Sequence, residues 1–191
     1  YYIYDFYVVD EFYKRMWTIL LSSNLSEPDD PQTNIEIAKY LEHKFQHIDY
    51  VRKAAAYFET LDFGGELDLI ELKSRLALHD MDLAYGDNLR EIVALKNVRK
   101  QPSPDPYMLK QAEDMMMCHW KRSRHHMSYF EGKEAELTLE DLIEIVCDVY
   151  EDQATKDDYI KAIEEIFPKV ALSDETKDKI RAMANRFNIW T

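Results

Sequence analysis

Residues 67–80 read Leu-Asp-Leu-Ile-Glu-Leu-Lys-Ser-Arg-Leu-Ala-Leu-His-Asp and predict a helix that ends in an imidazole beside a carboxylate. The apolar residues of this stretch recur at helical intervals. They are Leu69, Ile70, Leu72, Leu76 and Ala77. Because neighbouring helical residues diverge by about 100°, His79 and Asp80 can serve one metal ion only where the helix ends or where the ion lies in the crease between their two directions. The ordinary alternative is a histidine stabilised by the helix dipole, followed by a turn aspartate.

Composition predicts a nearly all-α protein. The 191 residues are 46% hydrophobic and include only four glycines and six prolines, so a sizeable helical core is expected. Residues 26–31 include two prolines and are expected to interrupt any helix after an aromatic N-terminal segment. We therefore predict an aromatic helix with its linker over residues 1–30 and one helical domain over residues 31–191. The aromatic stripe is expected to pack as core, with a lid over a pocket or a homodimer contact as the alternatives.

Hydrophobic periodicity predicts several more helices, and the last of them, at the C-terminus, are amphipathic. Thr138-Leu139-Glu140-Asp141 resembles a capping box, and Ser173 is a predicted N-cap. The predicted helices run from Thr33 to about Leu61, from Leu89 to Lys100, from Tyr107 to about Phe130, from Thr138 onward, and within residues 153–191.

Charge and cysteine content restrict the partners and the compartment. A net charge of −13 opposes binding to long nucleic acids, although a divalent cation can still recruit a small phosphorylated ligand. Two cysteines are too few for a disulfide scaffold. The apolar run over residues 17–21 is far shorter than the ~20 residues of a membrane span. These features predict a cytoplasmic protein that does not bind membranes.

The six histidines all fall between residues 43 and 126. His43 and His47 share a helical face, and we expect His47 to be a ligand and His43 to lie at the surface, because only His47 is flanked by apolar core positions. His119 and His126 are spaced as two turns of one helix. Asp148 lies beside an apolar stripe, where an unpaired charge would be costly.

In chain order, the candidates are His47, His79-Asp80, His119, His125-His126 and Asp148. This order resembles the HD-domain superfamily of metal-dependent phosphohydrolases over about residues 33–150, and looks most like a small HD-related branch found in bacteria and phages. The resemblance implies an HD-like helical bundle. It also implies that four residues bind a first divalent metal, namely His47, His79, Asp80 and Asp148.

Branches of that superfamily with a second metal carry further histidines, which here correspond to His119 and to His125 or His126. The resemblance implies that Asp80 bridges the two ions and, with His79, forms the catalytic centre. Imidazole and carboxylate ligands suit Mn, Fe, Co, Ni or Zn, with Mg as an alternative. One or two such ions are expected.

The implied function is a phosphohydrolase or phosphodiesterase that acts on a nucleotide or another small phosphate ester. Arg122 is the predicted phosphate ligand, because it shares the predicted helix face of His119 and His126, and Lys121 and Arg124 add positive charge. Two features depart from the superfamily. Met81-Asp82-Leu83 follows His79-Asp80, where many relatives place a lysine, and the Gly-Tyr-Pro signature of cyclic-dinucleotide phosphodiesterases is absent. The alternative is a catalytically degenerate helical module with a binding or regulatory role.

Overall fold

The computed structural model describes residues 31–83, 86–100, 102–151 and 153–190. Within these ranges the protein is all-α and contains no strand, which confirms the predicted fold class. The aromatic helix predicted within residues 1–30 lies outside the described residues. The α-helices are α1 (Pro31–Phe58), α2 (Leu69–Leu78), α3 (Gly86–Arg99), α4 (Pro106–Arg122), α5 (Leu139–Asp148), α6 (Lys156–Glu164) and α7 (Asp174–Arg186).

Short 3-10 turns connect several of these helices. They are Met81–Leu83, Met127–Phe130, Glu134–Glu136 and Phe167–Lys169. The α6 and α7 helices are the predicted amphipathic C-terminal helices. In the described ranges, no helix combines the length and the apolar character that crossing a membrane requires.

The chain divides into two compact units. The first contains Asp80–Ala112 and the described part of Tyr1–Lys44, and the second contains Phe45–His79 and Glu113–Thr191. Both α1 and α4 therefore contribute residues to each unit. The domain boundary predicted at residue 30 stays a prediction.

Buried apolar residues of the first unit follow helical stripes. Ile37, Tyr40 and Leu41 are buried on α1, and Leu89, Ile92 and Val93 are buried on α3. Each set is spaced by three and four residues, the interval that places side chains on one helix face. The Lys96 ammonium also lies 4.7 Å from the centroid of the Tyr40 ring.

The core of the second unit is built around α5, which packs against α2 and α7. Its aromatic part includes the stacked rings of Phe58 and Phe187, whose centroids are 5.5 Å apart. The hydroxyl of the buried Tyr159 donates to the carbonyl oxygen of Val146 at 2.9 Å, so this polar group is satisfied inside the core. Packing against several elements fixes α5, which carries the acidic residues of the candidate site.

The start of α5 is fixed by a capping box and two arginines. The Thr138 side chain accepts from the backbone N–H of Asp141, and the Asp141 carboxylate accepts from the backbone N–H of Thr138, which confirms the predicted cap. Arg75 and Arg124 both contact the same carboxylate. Burial raises the pKa of Asp141, but hydrogen bonds from Arg124 and the Thr138 backbone outweigh burial and hold it below its usual range.

The end of α4 differs from the sequence prediction. The helix stops at Arg122 rather than continuing to about Phe130, so the predicted boundary is wrong. The backbone N–H of His126 donates to the carbonyl oxygen of Ser123, which closes a turn in place of a further helical turn. Arg124 lies in this turn and binds Asp141 at the start of α5, so a tertiary contact overrides the local helix preference.

Candidate metal centre

His79 lies at the point where α2 ends. The helix stops at Leu78, and His79 is its C-cap with an extended ψ of 126°. Asp80 follows with a φ of 56°, in the left-handed region that aspartate tolerates better than most residues. The expectation that the two residues lie where the helix ends is therefore correct.

Three possible metal-ligand atoms of the second unit converge, and they belong to His47, His79 and Asp148. Nε2 of His79 lies 3.3 Å from Nε2 of His47 and 3.2 Å from Oδ1 of Asp148. Nε2 of His47 lies 3.1 Å from the same Asp148 oxygen. These three residues come from α1, from the end of α2 and from the last position of α5. The structure thus brings together three of the four residues predicted for the first metal.

Glu144 determines which nitrogen of His79 faces this group. Oε1 of Glu144 lies 3.3 Å from Nδ1 of His79, and the Glu144 side chain is almost fully buried. A carboxylate at this distance favours a proton on Nδ1, so Nε2 is the nitrogen of His79 that can bind a metal ion beside His47 and Asp148. The sequence prediction missed Glu144. The available signal was an acidic residue inside an apolar helix one turn before Asp148.

The Asp148 carboxylate supplies the negative charge of the group. Burial raises the pKa of Asp148, but hydrogen bonds with His126, His47 and His79 outweigh burial and hold it well below its usual range. The carboxylate is therefore ionised near neutral pH. By contrast, burial and the neighbouring Glu144 and Asp148 charges raise the pKa of the Cys147 thiol, so Cys147 offers no thiolate.

The three donors fit a divalent transition metal. Metal–nitrogen and metal–oxygen bonds of about 2.0–2.2 Å place neighbouring donors about 3.0–3.5 Å apart. The observed separations of 3.1, 3.2 and 3.3 Å fall in this range. Lone pairs of two imidazoles and one carboxylate directed at one point repel one another unless a proton or a cation lies between them. This cluster can hold a metal ion.

One of the remaining predicted histidines, His126, contacts the other oxygen of Asp148. Nδ1 of His126 lies 3.3 Å from Oδ2 of Asp148, and Nε2 of His126 lies 2.8 Å from Nε2 of His119. His125 directs Nδ1 towards Glu144 at 3.7 Å, and His79, His125 and Glu144 form a further group of suitable ligands. Within the second unit, Asp148 therefore contacts His47 and His79 through one oxygen and His126 through the other. His119 and His126 meet even though they do not share one helix.

Asp80 belongs to the first unit, where its partner is a lysine. The Lys44 ammonium donates to Oδ2 of Asp80 at 2.5 Å, and both side chains are largely buried. Burial raises the pKa of Tyr40, and the charges of Asp80 and Asp82 raise it further. The sequence prediction missed Lys44, because it sought a lysine shortly after Asp80. The role of Asp80 as a bridging ligand stays a prediction.

The other predicted positions differ in exposure. His43 is exposed, as expected, whereas His47 is buried.

Lys121 and Arg122 are exposed at the end of α4. The Arg124 guanidinium makes two hydrogen bonds to Asp141, of 2.9 and 2.6 Å, so its charge is already engaged at the start of α5. Of the three basic residues, Lys121 alone lines a cavity that also reaches His125, His126 and Asp148.

Fold and site together define an all-α protein with a buried histidine and carboxylate cluster that can hold a metal ion. A family model matches residues 36–186, so the chain belongs to the family described as "Family of unknown function (DUF5662)". Comparisons with curated proteins and with solved structures gave no match.

Proposed function

We propose that the protein is a metal-dependent phosphohydrolase or phosphodiesterase that acts on a nucleotide or another small phosphate ester. The observation that carries the proposal is the convergence of His47 Nε2, His79 Nε2 and Asp148 Oδ1, with Glu144 fixing the orientation of His79. The order of ligands along the chain, which resembles the HD-domain superfamily, supports the same function. An HD-like bundle and a cytoplasmic location belong to this proposal.

The proposed metal is Mn, Fe, Co, Ni or Zn, with Mg as the alternative, and one or two ions are expected. His47, His79 and Asp148 would hold the first ion, with Asp80 as the further ligand that the resemblance implies. His119 and His125 or His126 would hold the second. A divalent ion in such a site lowers the pKa of bound water and polarises phosphate oxygens.

Residues of the chain supply orientation and charge around that centre. Glu144 holds the His79 ring through Nδ1, and Asp148 keeps an ionised carboxylate between two sets of histidines. Lys121 offers a cation for the phosphate at the cavity beside His126. Because the cluster lies among buried side chains, its electrostatic interactions are stronger than they would be in water.

A catalytically degenerate binding or regulatory module is the second candidate. The observation that favours it is the sequence Met81-Asp82-Leu83 after Asp80, where many HD proteins place a lysine. Lys44 contacts Asp80 instead, and this pairing supports either function. A small phosphorylated partner, with no long nucleic acid or membrane, is common to both candidates, and a homodimer stays a prediction.

The deciding experiment is elemental analysis of protein purified without chelator, together with a screen for phosphate release. The screen covers nucleotides, cyclic dinucleotides and simple phosphate esters, each with added Mn or Co. Bound metal with metal-dependent phosphate release supports the enzyme. Bound metal without any release supports the binding module. Protein that contains no metal and stays inert with added Mn or Co contradicts the proposed enzyme.

A further inference from the structure

A cavity of about 710 Å³ opens beside the candidate metal centre in the second unit. His125, His126 and Asp148 lie in its wall, so the cavity and the histidine cluster share residues. This volume lies in the range of about 300–1,000 Å³ that is typical of small-molecule sites. Much of the remaining wall is apolar and includes Met117, Trp120, Ile145, Val149, Ile166 and Val170.

Trp120 joins the apolar wall to the histidines. Its ring centroid lies 6.4 Å from that of His126, with an interplanar angle of 74°. The Ser128 hydroxyl donates to the carbonyl oxygen of Trp120 at 3.2 Å and ties this end of α4 to the following 3-10 turn. Trp120 remains 39% exposed, which is unusual for so large an apolar side chain. The backbone of Trp120 is thus anchored, and its partly exposed indole lies in the wall where an aromatic ligand can contact it.

Two lysines also line the cavity. Lys121 is at the end of α4, and Lys169 ends the 3-10 turn Phe167–Lys169. Among the residues that the structure describes, neither forms an ion pair, although the chain carries a net charge of −13. Two acidic residues, Glu131 and Asp148, also line the cavity. Both have partners, because Oε1 of Glu131 accepts from the backbone N–H of Ala171 and Oδ2 of Asp148 contacts His126. Two available ammonium groups next to an apolar wall favour an anionic ligand with an apolar portion.

We propose that this cavity binds phosphate esters whose alcohol portion is a flat aromatic group. The aromatic portion packs against Trp120 and the aliphatic wall, and the phosphate is bound by Lys121 and Lys169. That the bound ester is then hydrolysed rests on the proposed function, whereas the binding itself rests on the cavity alone. The proposal therefore narrows the substrate class of the same site.

Binding is tested by calorimetric titration of the full chain with phosphonates, whose P–C bond resists hydrolysis. The probes are 1-naphthylmethylphosphonate, methylphosphonate without the ring, and 1-naphthalenemethanol without the charge. We expect the naphthyl phosphonate to bind at least about tenfold more tightly than either fragment, because only this probe uses both the indole and the lysines. Equal affinities of the two phosphonates would overturn the proposal.

Variants of Trp120 test the contribution of the indole to binding. Trp120→Ala should lower the affinity for the naphthyl phosphonate about tenfold and change the affinity for methylphosphonate by no more than about twofold. Trp120→Phe should retain most of the parent affinity. Tyr107→Ala is the matched control, because Tyr107 is an exposed aromatic residue on the same helix and lies outside the cavity wall. A loss in Trp120→Ala no larger than in Tyr107→Ala contradicts the proposal.

Lys169→Met should weaken both phosphonates without affecting 1-naphthalenemethanol. Its control is Lys161→Met, which removes an exposed lysine of α6 that does not line the cavity. If the protein releases phosphate from no ester but binds the probes as expected, the proposed function fails and the cavity proposal stands. If it hydrolyses small alkyl phosphates and Trp120→Ala leaves aryl phosphates unaffected, the cavity proposal fails and the proposed function stands.

Discussion

Oε1 of Glu144 lies 3.3 Å from Nδ1 of His79, and this contact determines which imidazole nitrogen faces His47 and Asp148. Glu144 and Asp148 are one helical turn apart on α5, so one helix both orients a histidine and supplies a donor. A carboxylate behind a metal-binding histidine fixes its ring and raises its basicity. The arrangement therefore makes Glu144 a positioning residue.

Removing this carboxylate should weaken metal binding. We expect Glu144→Ala to raise the metal dissociation constant about 10–100-fold, measured by competition with a chelating dye. Glu144→Gln should lose less, because its amide oxygen can still accept from Nδ1 of His79. Glu175→Gln, which changes an exposed residue of α7, is the control. Unaltered affinity in Glu144→Ala would show that His79 needs no such support.

The two histidines of α1 provide a matched pair of variants. His47→Ala removes a donor from the cluster and should abolish stoichiometric metal binding, whereas His43→Ala should leave it intact because His43 is exposed. Elemental analysis of both proteins, purified in parallel without chelator, measures the outcome. Equal metal content in the two variants would place the metal elsewhere.

Lys44 and Asp80 form a largely buried ion pair in the first unit. Lys44→Met removes one partner of this ion pair, and such a loss costs about 3 kcal/mol of folding free energy. Adding Asp80→Asn to this variant should recover much of the loss, because the carboxylate charge that faced Lys44 is then removed as well. Denaturant unfolding of the two single variants and the double variant measures this coupling. Additive losses would mean that the two side chains do not stabilise each other.

Stability should depend on pH through Asp141. The folded protein holds the pKa of this carboxyl below its usual value, so the ionised form is the one that folding favours. The contribution is complete above the unfolded pKa of about 3.9, and it is lost as the pH falls through the lower folded pKa. Asp141→Asn should therefore be less stable than the parent near neutral pH, and the difference should shrink in acid.

Denaturant midpoints between about pH 2 and pH 7 test this expectation. Asp49→Asn is the control, because Asp49 is an exposed carboxylate on α1. A difference between Asp141→Asn and the parent that stays constant down to the lowest pH would contradict the assigned direction of the pKa shift.

The sequence predicted those parts of the molecule that depend on local chemistry. Thr138 and Ser173 were recognisable as caps because each acts on backbone groups within three residues. His47, His79 and Asp148 were recognisable because they are ligand types beside apolar positions. A histidine next to core residues is either buried with partners or part of a site, and in both cases its side chain lies inside the protein.

The features that the sequence did not predict depend on contacts between residues that are far apart in the chain. The end of α4 follows from Arg124 binding Asp141, 17 residues away. Lys44 contacts Asp80 across 36 residues, and Glu144 contacts His79 across 65. No helical periodicity encodes such pairs, since the same residue types at the same spacing are equally compatible with an exposed surface.

The corrected end of α4 changes the expected phosphate ligand. Arg122 was predicted from a helix that continued to His126, but the helix stops at Arg122, and Lys121 is the residue that lines the cavity with His126. With an active metal-loaded enzyme, Lys121→Ala should lower kcat/KM for a phosphate ester about tenfold, equivalent to about 1.4 kcal/mol, at normal metal content. Arg122→Ala should lose less, because its guanidinium is not in the cavity wall. Steady-state kinetics of both variants, with Lys110→Ala as a control on the same helix, measures the difference. A larger loss in Arg122→Ala would mean that the substrate approaches from the other side of the helix end.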